Sequence, residues 1–260
     1  MVKAIIFDLD DTLLWDEKSV KKAFEQTCSL AKEKYGVDPE RLEEAVREAA
    51  KHLYPTYETY PFVKNIGIGV FEAFWGEFKD EGEDFKALRQ IVPAYRKEAW
   101  TKGLEKLGVH DVALGQEMAE TFPKERRKHI YLYEDTLDVL NTLQGKYKLA
   151  LLTNGSPDLQ HEKLSFSKEL VPYFEQIVIS GDFGKGKPSK EIFAHVLNLL
   201  DVDRDEAVMV GDNPMTDILG ATKLGMTSVW INHHNRKLED VKPTYEISRL
   251  QELLPIIERL

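Results

Sequence analysis

Five short runs of apolar residues recur along the chain, and they constrain its fold more than any other feature. They lie at residues 3–8, 148–153, 176–180, 207–211 and 228–232. Continuous apolar runs of this length are typical of strands buried on both faces, as in a parallel sheet. Segments with helical spacing separate the later runs, at residues 135–143, 189–200 and 216–224. This alternation predicts an α/β fold in which a doubly wound parallel sheet carries helices on both faces.

The alternation is interrupted once, by a long block without strand patterns that begins soon after the first run. Within this block apolar residues recur at helical spacing, as in Val20, Phe24 and Ala31, which predicts amphipathic helices. We therefore expect two domains: an α/β core at residues 1–15 and 128–260, and a helical insertion at residues 16–127. Residues 124–129 form a basic cluster where the chain returns to the core, and we expect a solvent-facing helix surface there.

The charge of the chain excludes several classes of partner. Its formal net charge is −10 and its isoelectric point is about 5.3. Such a protein repels polyanions, so we expect no nucleic-acid partner and no membrane partner. No stretch is apolar enough for a membrane span, and the first apolar run is too short for a signal peptide, which predicts a cytoplasmic protein. An anionic metabolite would require positive groups gathered in one place.

The first apolar run leads into an acidic motif. Its residues are Asp8, Leu9, Asp10, Asp11 and Thr12. On an extended chain the side chains of Asp8 and Asp10 point the same way. Two carboxylates held this close repel each other unless a cation or a proton lies between them. The motif therefore indicates either a cation site or a metal-free acidic turn.

Three further polar motifs follow other apolar runs. They are Thr153-Asn154-Gly155, the lysines Lys185 and Lys187 in the loop before residue 190, and the acids Asp212 and Asp217. A hydroxyl beside backbone N–H groups can hold a phosphate, although an Asn-Gly pair is also typical of an ordinary turn. The carboxyl ends of parallel strands meet at one edge of a sheet, where ligands bind. We expect the four motifs to converge at that edge.

In the order acid pair, hydroxyl, lysine and acid pair, the motifs resemble those of the haloacid dehalogenase (HAD) superfamily. The shared pattern is Asp-x-Asp-x-Thr, then Thr, then Lys-Pro, then Gly-Asp-x-x-x-x-Asp, and it covers the α/β part of the chain. The resemblance implies a Rossmann-like core with an inserted α-helical cap after the first motif (C1 type), matched by placement and size and not by sequence. Asp11 stands where many members have Gly, and we interpret it as a turn residue.

The resemblance also implies roles for the first motif. Asp8 would be the nucleophile that takes a phosphoryl group. Asp10 would be the general acid that protonates the leaving oxygen and then the base that activates water, and Thr12 would position it. A carboxylate can act as a nucleophile toward phosphorus and then carries the phosphoryl group as an aspartyl phosphate.

The remaining motif residues are implied to bind phosphate and metal. The phosphate ligands would be Thr153, Asn154 and Lys187, the last preferred over Lys185 because it directly precedes Pro188. Mg²⁺ would be held by the carboxylates of Asp8 and Asp212 and by the backbone carbonyl of Asp10. Asp217 would support either the metal site or Lys187.

Together these implications predict a Mg²⁺-dependent hydrolase that cleaves a small phosphorylated metabolite through an aspartyl phosphate. Phosphoserine is the named candidate, because the chain is similar in length and pattern to stand-alone phosphatases that include phosphoserine phosphatases. A phosphosugar mutase uses the same residues and stays open. A dehalogenase lacks an acid at the position of Asp10, and a receiver-like phospho-Asp module has no large helical insertion. The oligomeric state cannot be read from the sequence.

Overall fold

The computed structural model describes residues 1–238 and 240–260, which divide into two compact units. The first unit contains residues 1–15 and 131–260, and the second contains residues 16–130. The chain therefore leaves the first unit once and returns to it once. Within the part of the chain that the structure describes, no helix is long and apolar enough to cross a membrane.

A sheet of six parallel strands forms the centre of the first unit. The strands are β1 (Ala4–Phe7), β2 (Lys148–Thr153), β3 (Gln176–Ile179), β4 (Ala207–Gly211), β5 (Thr227–Ile231) and β6 (Tyr245–Ile247). Their order across the sheet is β3-β2-β1-β4-β5-β6, so β1 lies between β2 and β4. The α/β class with a parallel sheet is thus confirmed. Strand β6 was not predicted, because two of its three residues are exposed and it forms no apolar run.

The second unit is helical. Its helices are α1 (Asp16–Tyr35), α2 (Pro39–Leu53), α3 (Tyr60–Ile66), α4 (Glu83–Lys106) and α5 (Val112–Lys128). Helix α2 packs on α4, and both α1 and α4 pack on α5. Phe24, Phe74, Trp100 and Phe122 are fully buried between them, with the ring centroids of Phe24 and Phe122 4.8 Å apart. These large rings give the second unit an aromatic core of its own.

Arg126 lies in the basic cluster that we expected on a solvent-facing surface, but it is only 1% exposed. Its guanidinium forms an ion pair with Asp16 and lies 4.7 Å from the ring centroid of Trp75. A planar guanidinium is weakly hydrated and stacks well on aromatic rings, so it can be buried when it has a partner. Through this pair Arg126 joins α5, the last helix of the second unit, to α1, the first helix of the same unit.

Helices cover both faces of the sheet in the first unit. They are α6 (Thr136–Leu143), α7 (Pro157–Phe166), α8 (Ser180–Phe183), α9 (Lys190–Leu200), α10 (Leu219–Leu224) and α11 (Leu253–Ile257). In β1, Ile5 and Phe7 face the apolar layer completed by α6 and α11. Ala4 and Ile6 face the opposite layer, completed by α9 and α10. Burial on both faces explains why the strands read as continuous apolar runs.

The segments that lead out of the first unit and back into it are paired with each other. Leu14 and Leu132 form an isolated antiparallel bridge. The backbone N–H of Trp15 donates to the carbonyl of Tyr131 at 2.8 Å, and the N–H of Tyr133 donates to the carbonyl of Leu13 at 3.2 Å. The exit and the return are therefore held side by side.

Gly103 provides a test of the packing in the second unit, because it marks a close approach of α4 to α2. A Cβ atom at Gly103 would lie 2.3 Å from Cγ2 of Val46 and 3.1 Å from its Cα. Helix propensity alone favours alanine here by about 0.5–1 kcal/mol, but the clash must push the two helices apart. We expect Gly103→Ala to lower the free energy of unfolding by about 1–3 kcal/mol in urea denaturation.

Gly69→Ala is the matched control for this substitution. A Cβ atom there would meet Glu72 no closer than 3.6 Å, which is an ordinary contact. If Gly103→Ala proved as stable as Gly69→Ala, the close packing of α2 on α4 would be wrong.

Candidate functional site

The carboxyl ends of three neighbouring strands bring several of the predicted residues together. Asp8 directly follows β1, and its backbone N–H donates to the carbonyl of Val210 in β4 at 2.9 Å. Thr153 is the last residue of β2, and Asp212 directly follows β4. Because β2, β1 and β4 are adjacent, these residues share one edge of the sheet.

Lys187 reaches this edge from the loop before α9, and acceptors surround its ammonium group. Its Nζ donates to Oδ1 of Asp8 at 2.6 Å and to the carbonyl of Leu152 at 2.7 Å. The same Nζ lies 2.8 Å from Oδ1 of Asp217. The Lys187 side chain is only 1% exposed. A buried ammonium group requires such partners, so the three acceptors explain how this lysine can be buried.

The side chain of Asn154 holds the backbone of Lys187. Nδ2 of Asn154 donates to the carbonyl of Lys187 at 3.0 Å, and Oδ1 accepts from its N–H at 2.8 Å. The peptide bond between Lys187 and Pro188 is cis. Lys185, the other lysine of this loop, is exposed and pairs with Glu191 at 2.8 Å. The Asn154 amide, predicted as a phosphate ligand, is therefore engaged with the lysine loop.

The turn after β2 contains the hydroxyl that the sequence assigns to phosphate binding. Thr153 is buried, and its Oγ1 lies 3.4 Å from the carbonyl of Asn154, which is long for a hydrogen bond. The N–H of Gly155 donates to Oγ of Ser180 at 2.8 Å. The Thr153 hydroxyl is therefore better suited than the Gly155 N–H to bind a phosphate at this turn.

Asp217 enters the site from a π-helical turn, Pro214–Ile218, that follows β4. It is fully buried, and its Oδ2 accepts a hydrogen bond from the N–H of Asn213 at 3.0 Å. A Cβ atom at Gly211 would lie only 2.3 Å from this Oδ2. The glycine of the Gly-Asp motif therefore has a steric purpose: it lets the Asp217 carboxylate pack against the end of β4.

Three carboxylates share this small space. Ligand oxygens of Asp8, Asp212 and Asp217 lie within 4.8 Å of one another. Burial and the charge of Asp217 raise the pKa of Asp8 to about 6. Burial and the charges of Asp217 and Asp8 raise the pKa of Asp212 to about 9. Burial works against the charged form of Lys187, but Asp217 and Asp8 raise its pKa above the ordinary value. The excess of negative charge indicates a cation site.

The side chain of Asp10 lies outside this carboxylate group. Its Oδ2 accepts a hydrogen bond from Nζ of Lys163 at 2.7 Å. Lys163 lies in α7, and its side chain is 1% exposed. No motif predicted this pair, because 153 residues separate the two partners and a single lysine in a helix carries no signal of burial.

The turn after Asp10 is fixed from two directions. Thr12 is fully buried, and its Oγ1 accepts from the N–H of Asp212 at 3.1 Å, which ties the first motif to the fourth. The role that the resemblance implied for Thr12, positioning Asp10, stays a prediction. Asp11 has a φ of 55°, a left-handed conformation in which Gly, Asn and Asp are the common residues. Ring atom Nε2 of His233 lies 3.1 Å from the carbonyl of Asp11.

Two further side chains contact the site without belonging to a motif. Nε1 of Trp230 and Nη2 of Arg236 each donate to the carbonyl of Asp212 at 2.8 Å. In the sequence they are an aromatic residue in an apolar run and an arginine in a polar loop, so neither is conspicuous. They orient the backbone that carries the Asp212 carboxylate.

Known proteins that are similar to this chain have related chemistry. The model of the haloacid dehalogenase-like hydrolase family matches residues 2–225. A phosphoserine phosphatase from Thermus thermophilus is 33% identical over 253 residues, which cover 97% of this chain and 98% of that protein. An N-acylneuraminate-9-phosphatase from Mus musculus is 28% identical, with 100% and 95% of the two chains covered.

A solved structure supports the fold. The crystal structure of YfnB from Bacillus subtilis, bound to magnesium, aligns with a TM-score of 0.68 and 22% identity over 98% of each chain. The family match spans most of the chain, and both relatives align with it along nearly their whole length. The chain therefore belongs to the haloacid dehalogenase-like hydrolase family, and it is an enzyme of the phosphatase class.

Proposed function

We propose that this phosphatase hydrolyses a small phosphomonoester by covalent catalysis at Asp8. The main support is the placement of the Asp8 carboxylate, which lies at the end of a central strand, 2.6 Å from the Lys187 ammonium. Lys187 favours the ionised carboxylate that a nucleophile requires. It also places positive charge where a phosphoryl group in transfer accumulates negative charge.

The reaction proceeds in two displacements at phosphorus. In the first, an Asp8 oxygen bonds to phosphorus and the bond from phosphorus to the ester oxygen breaks. Asp10 gives its proton to that oxygen, so an alcohol leaves and an aspartyl phosphate remains. In the second, the ionised Asp10 takes a proton from water, whose oxygen bonds to phosphorus. The bond from phosphorus to Asp8 then breaks and inorganic phosphate is released.

We propose Mg²⁺ as the cofactor, held by the carboxylates of Asp8 and Asp212 and the backbone carbonyl of Asp10. The donor set fits, because Mg²⁺ binds oxygen ligands and the buried acids carry more negative charge than Lys187 balances. Asp217 is already engaged by Lys187 and the N–H of Asn213, so it supports the site and the lysine together. When bound, the ion would neutralise charge that develops on the phosphoryl group.

We propose phosphoserine as the substrate and the helical unit as the cap that selects it. The support for phosphoserine is the relative named phosphoserine phosphatase, which matches almost the full length of this chain. The support for a cap is the position of the insertion, directly after the first motif. The net charge of −10 favours a small metabolite over a polyanion.

Asp8→Asn is expected to reduce the hydrolysis of p-nitrophenyl phosphate with Mg²⁺ by at least about 10³-fold, because the amide cannot form the acyl phosphate. The release of p-nitrophenol gives the rate. Asp205→Asn, which changes an exposed carboxylate outside the site, is the control and should keep the parent rate. Full activity in Asp8→Asn would overturn the assignment of the nucleophile.

Mg²⁺ is expected to raise the melting temperature more at about pH 9 than at about pH 6. In the metal-free protein the pKa of Asp212 is raised to about 9, so stability falls as pH rises from the ordinary carboxyl pKa toward that value. Protons also compete with the ion for Asp8 and Asp212, so binding strengthens with pH and releases protons. Asp212→Asn should lose most of the effect. A pH-independent shift in the parent would contradict a cation site at these acids.

Phosphoserine is expected to give a higher kcat/KM than N-acylneuraminate 9-phosphate, in keeping with the closer match to the phosphoserine phosphatase. The measurement is phosphate release at several substrate concentrations with Mg²⁺ present. A higher kcat/KM for N-acylneuraminate 9-phosphate would make a sugar acid phosphate, and not phosphoserine, the proposed substrate. Isomerisation of a sugar phosphate without phosphate release would indicate a mutase.

A further inference from the structure

A buried lysine outside the four motifs contacts the first of them. The side chain of Lys163 is 1% exposed, and its Nζ lies 2.7 Å from Oδ2 of Asp10. Removing an ammonium group from water is unfavourable, and an apolar side chain of similar volume would fill the same space without needing a partner. Packing alone therefore does not explain a lysine at this position, whereas its contact with Asp10 does.

The helix that carries Lys163 is itself fixed against the catalytic edge. Oγ of Ser156 caps the start of α7 by accepting from the N–H of Leu159 at 3.3 Å. Gln160 and Lys163 lie one turn apart, on the same face of the helix, and both are fully buried. Nε2 of Gln160 donates to the carbonyl of Asn154 at 2.9 Å. One helix face thus contacts both the turn after β2 and the acid of the first motif.

From this geometry we infer that Lys163 is a positioning residue for the reaction. Its Nζ contact with Oδ2 holds the Asp10 carboxyl group in one orientation, in a side chain that is 25% exposed. General acid–base catalysis requires the carboxyl group to stay within hydrogen-bond reach of the atom that it protonates. The inference rests on the proposed function, because it concerns the residue proposed there as the general acid.

The test compares two aryl esters that differ in their need for a proton. The p-nitrophenolate ion leaves readily without one, whereas phenolate leaves poorly. With Mg²⁺ present, we expect Lys163→Met to lower kcat/KM for phenyl phosphate roughly tenfold more than for p-nitrophenyl phosphate, because kcat/KM reports the first displacement, in which the leaving oxygen is protonated. A lysine that only supported the fold would lower both rates by the same factor, and that result would overturn the inference.

Two further variants guard against a simple loss of structure. Lys168→Met removes an exposed lysine just beyond the same helix and should leave both rates unchanged. Lys163→Arg keeps the charge and should recover part of the rate for phenyl phosphate. If Lys163→Met does not fold, the same comparison is made with Lys163→Arg. This variant should melt near the parent temperature. It should still show a smaller loss of rate that is selective for phenyl phosphate. Equal losses for the two esters would contradict the inference.

A double-substitution cycle shows whether Lys163 acts through Asp10. In an Asp10→Asn background, Lys163→Met should cause no further loss of kcat, whereas independent roles would give losses that multiply. Asp8→Asn, assayed with the same two esters, separates this inference from the proposed function. Activity retained in Asp8→Asn would contradict the proposed mechanism itself. If Asp8→Asn is inactive and Lys163→Met affects both esters equally, only the role of Lys163 is wrong.

Discussion

The contacts of the buried Lys187 ammonium group are the interactions on which this edge of the sheet depends. The group contacts Asp8 after β1, the carbonyl of Leu152 in β2 and Asp217 after β4, so one cation draws three neighbouring strand ends together. Such a group is tolerated in the interior only when every contact is made, because an unpaired buried charge destabilises a fold severely. Asn154 supplies the remaining constraint by fixing the backbone from which the lysine extends.

The same edge carries more carboxylate groups than one lysine can neutralise. The raised pKa values of Asp8 and Asp212 express this imbalance, since in the metal-free protein each carboxyl holds its proton more tightly than it would in water. A site of this kind weakens the isolated fold and is ready to accept a cation. The apolar layers on both faces of the sheet provide the stability that lets the fold tolerate it.

The sequence predicts those parts of the molecule that local patterning determines. Strand β2 has the predicted bounds, since burial on both faces leaves a continuous apolar run, and the motif residues follow because they stand at strand ends. Contacts between distant segments leave no such pattern. The pairing of Lys163 with Asp10 joins two segments far apart in sequence. Arg126 belongs to a charged cluster, and only its tertiary partners, Asp16 and Trp75, explain its burial.

The paired exit and return segments have a consequence for how such an enzyme can diversify. Because the first unit itself holds Leu14 beside Leu132, the ends of the inserted helical unit are already closed by hydrogen bonds outside that unit. The entropy of closing a connection depends only weakly on its length. The stability of the α/β unit therefore depends little on the size of the inserted unit. Different helical units can be accepted at this junction while the strand ends keep their geometry. Under the proposed function, in which the helical unit selects the substrate, recognition and bond cleavage can therefore evolve as separate properties.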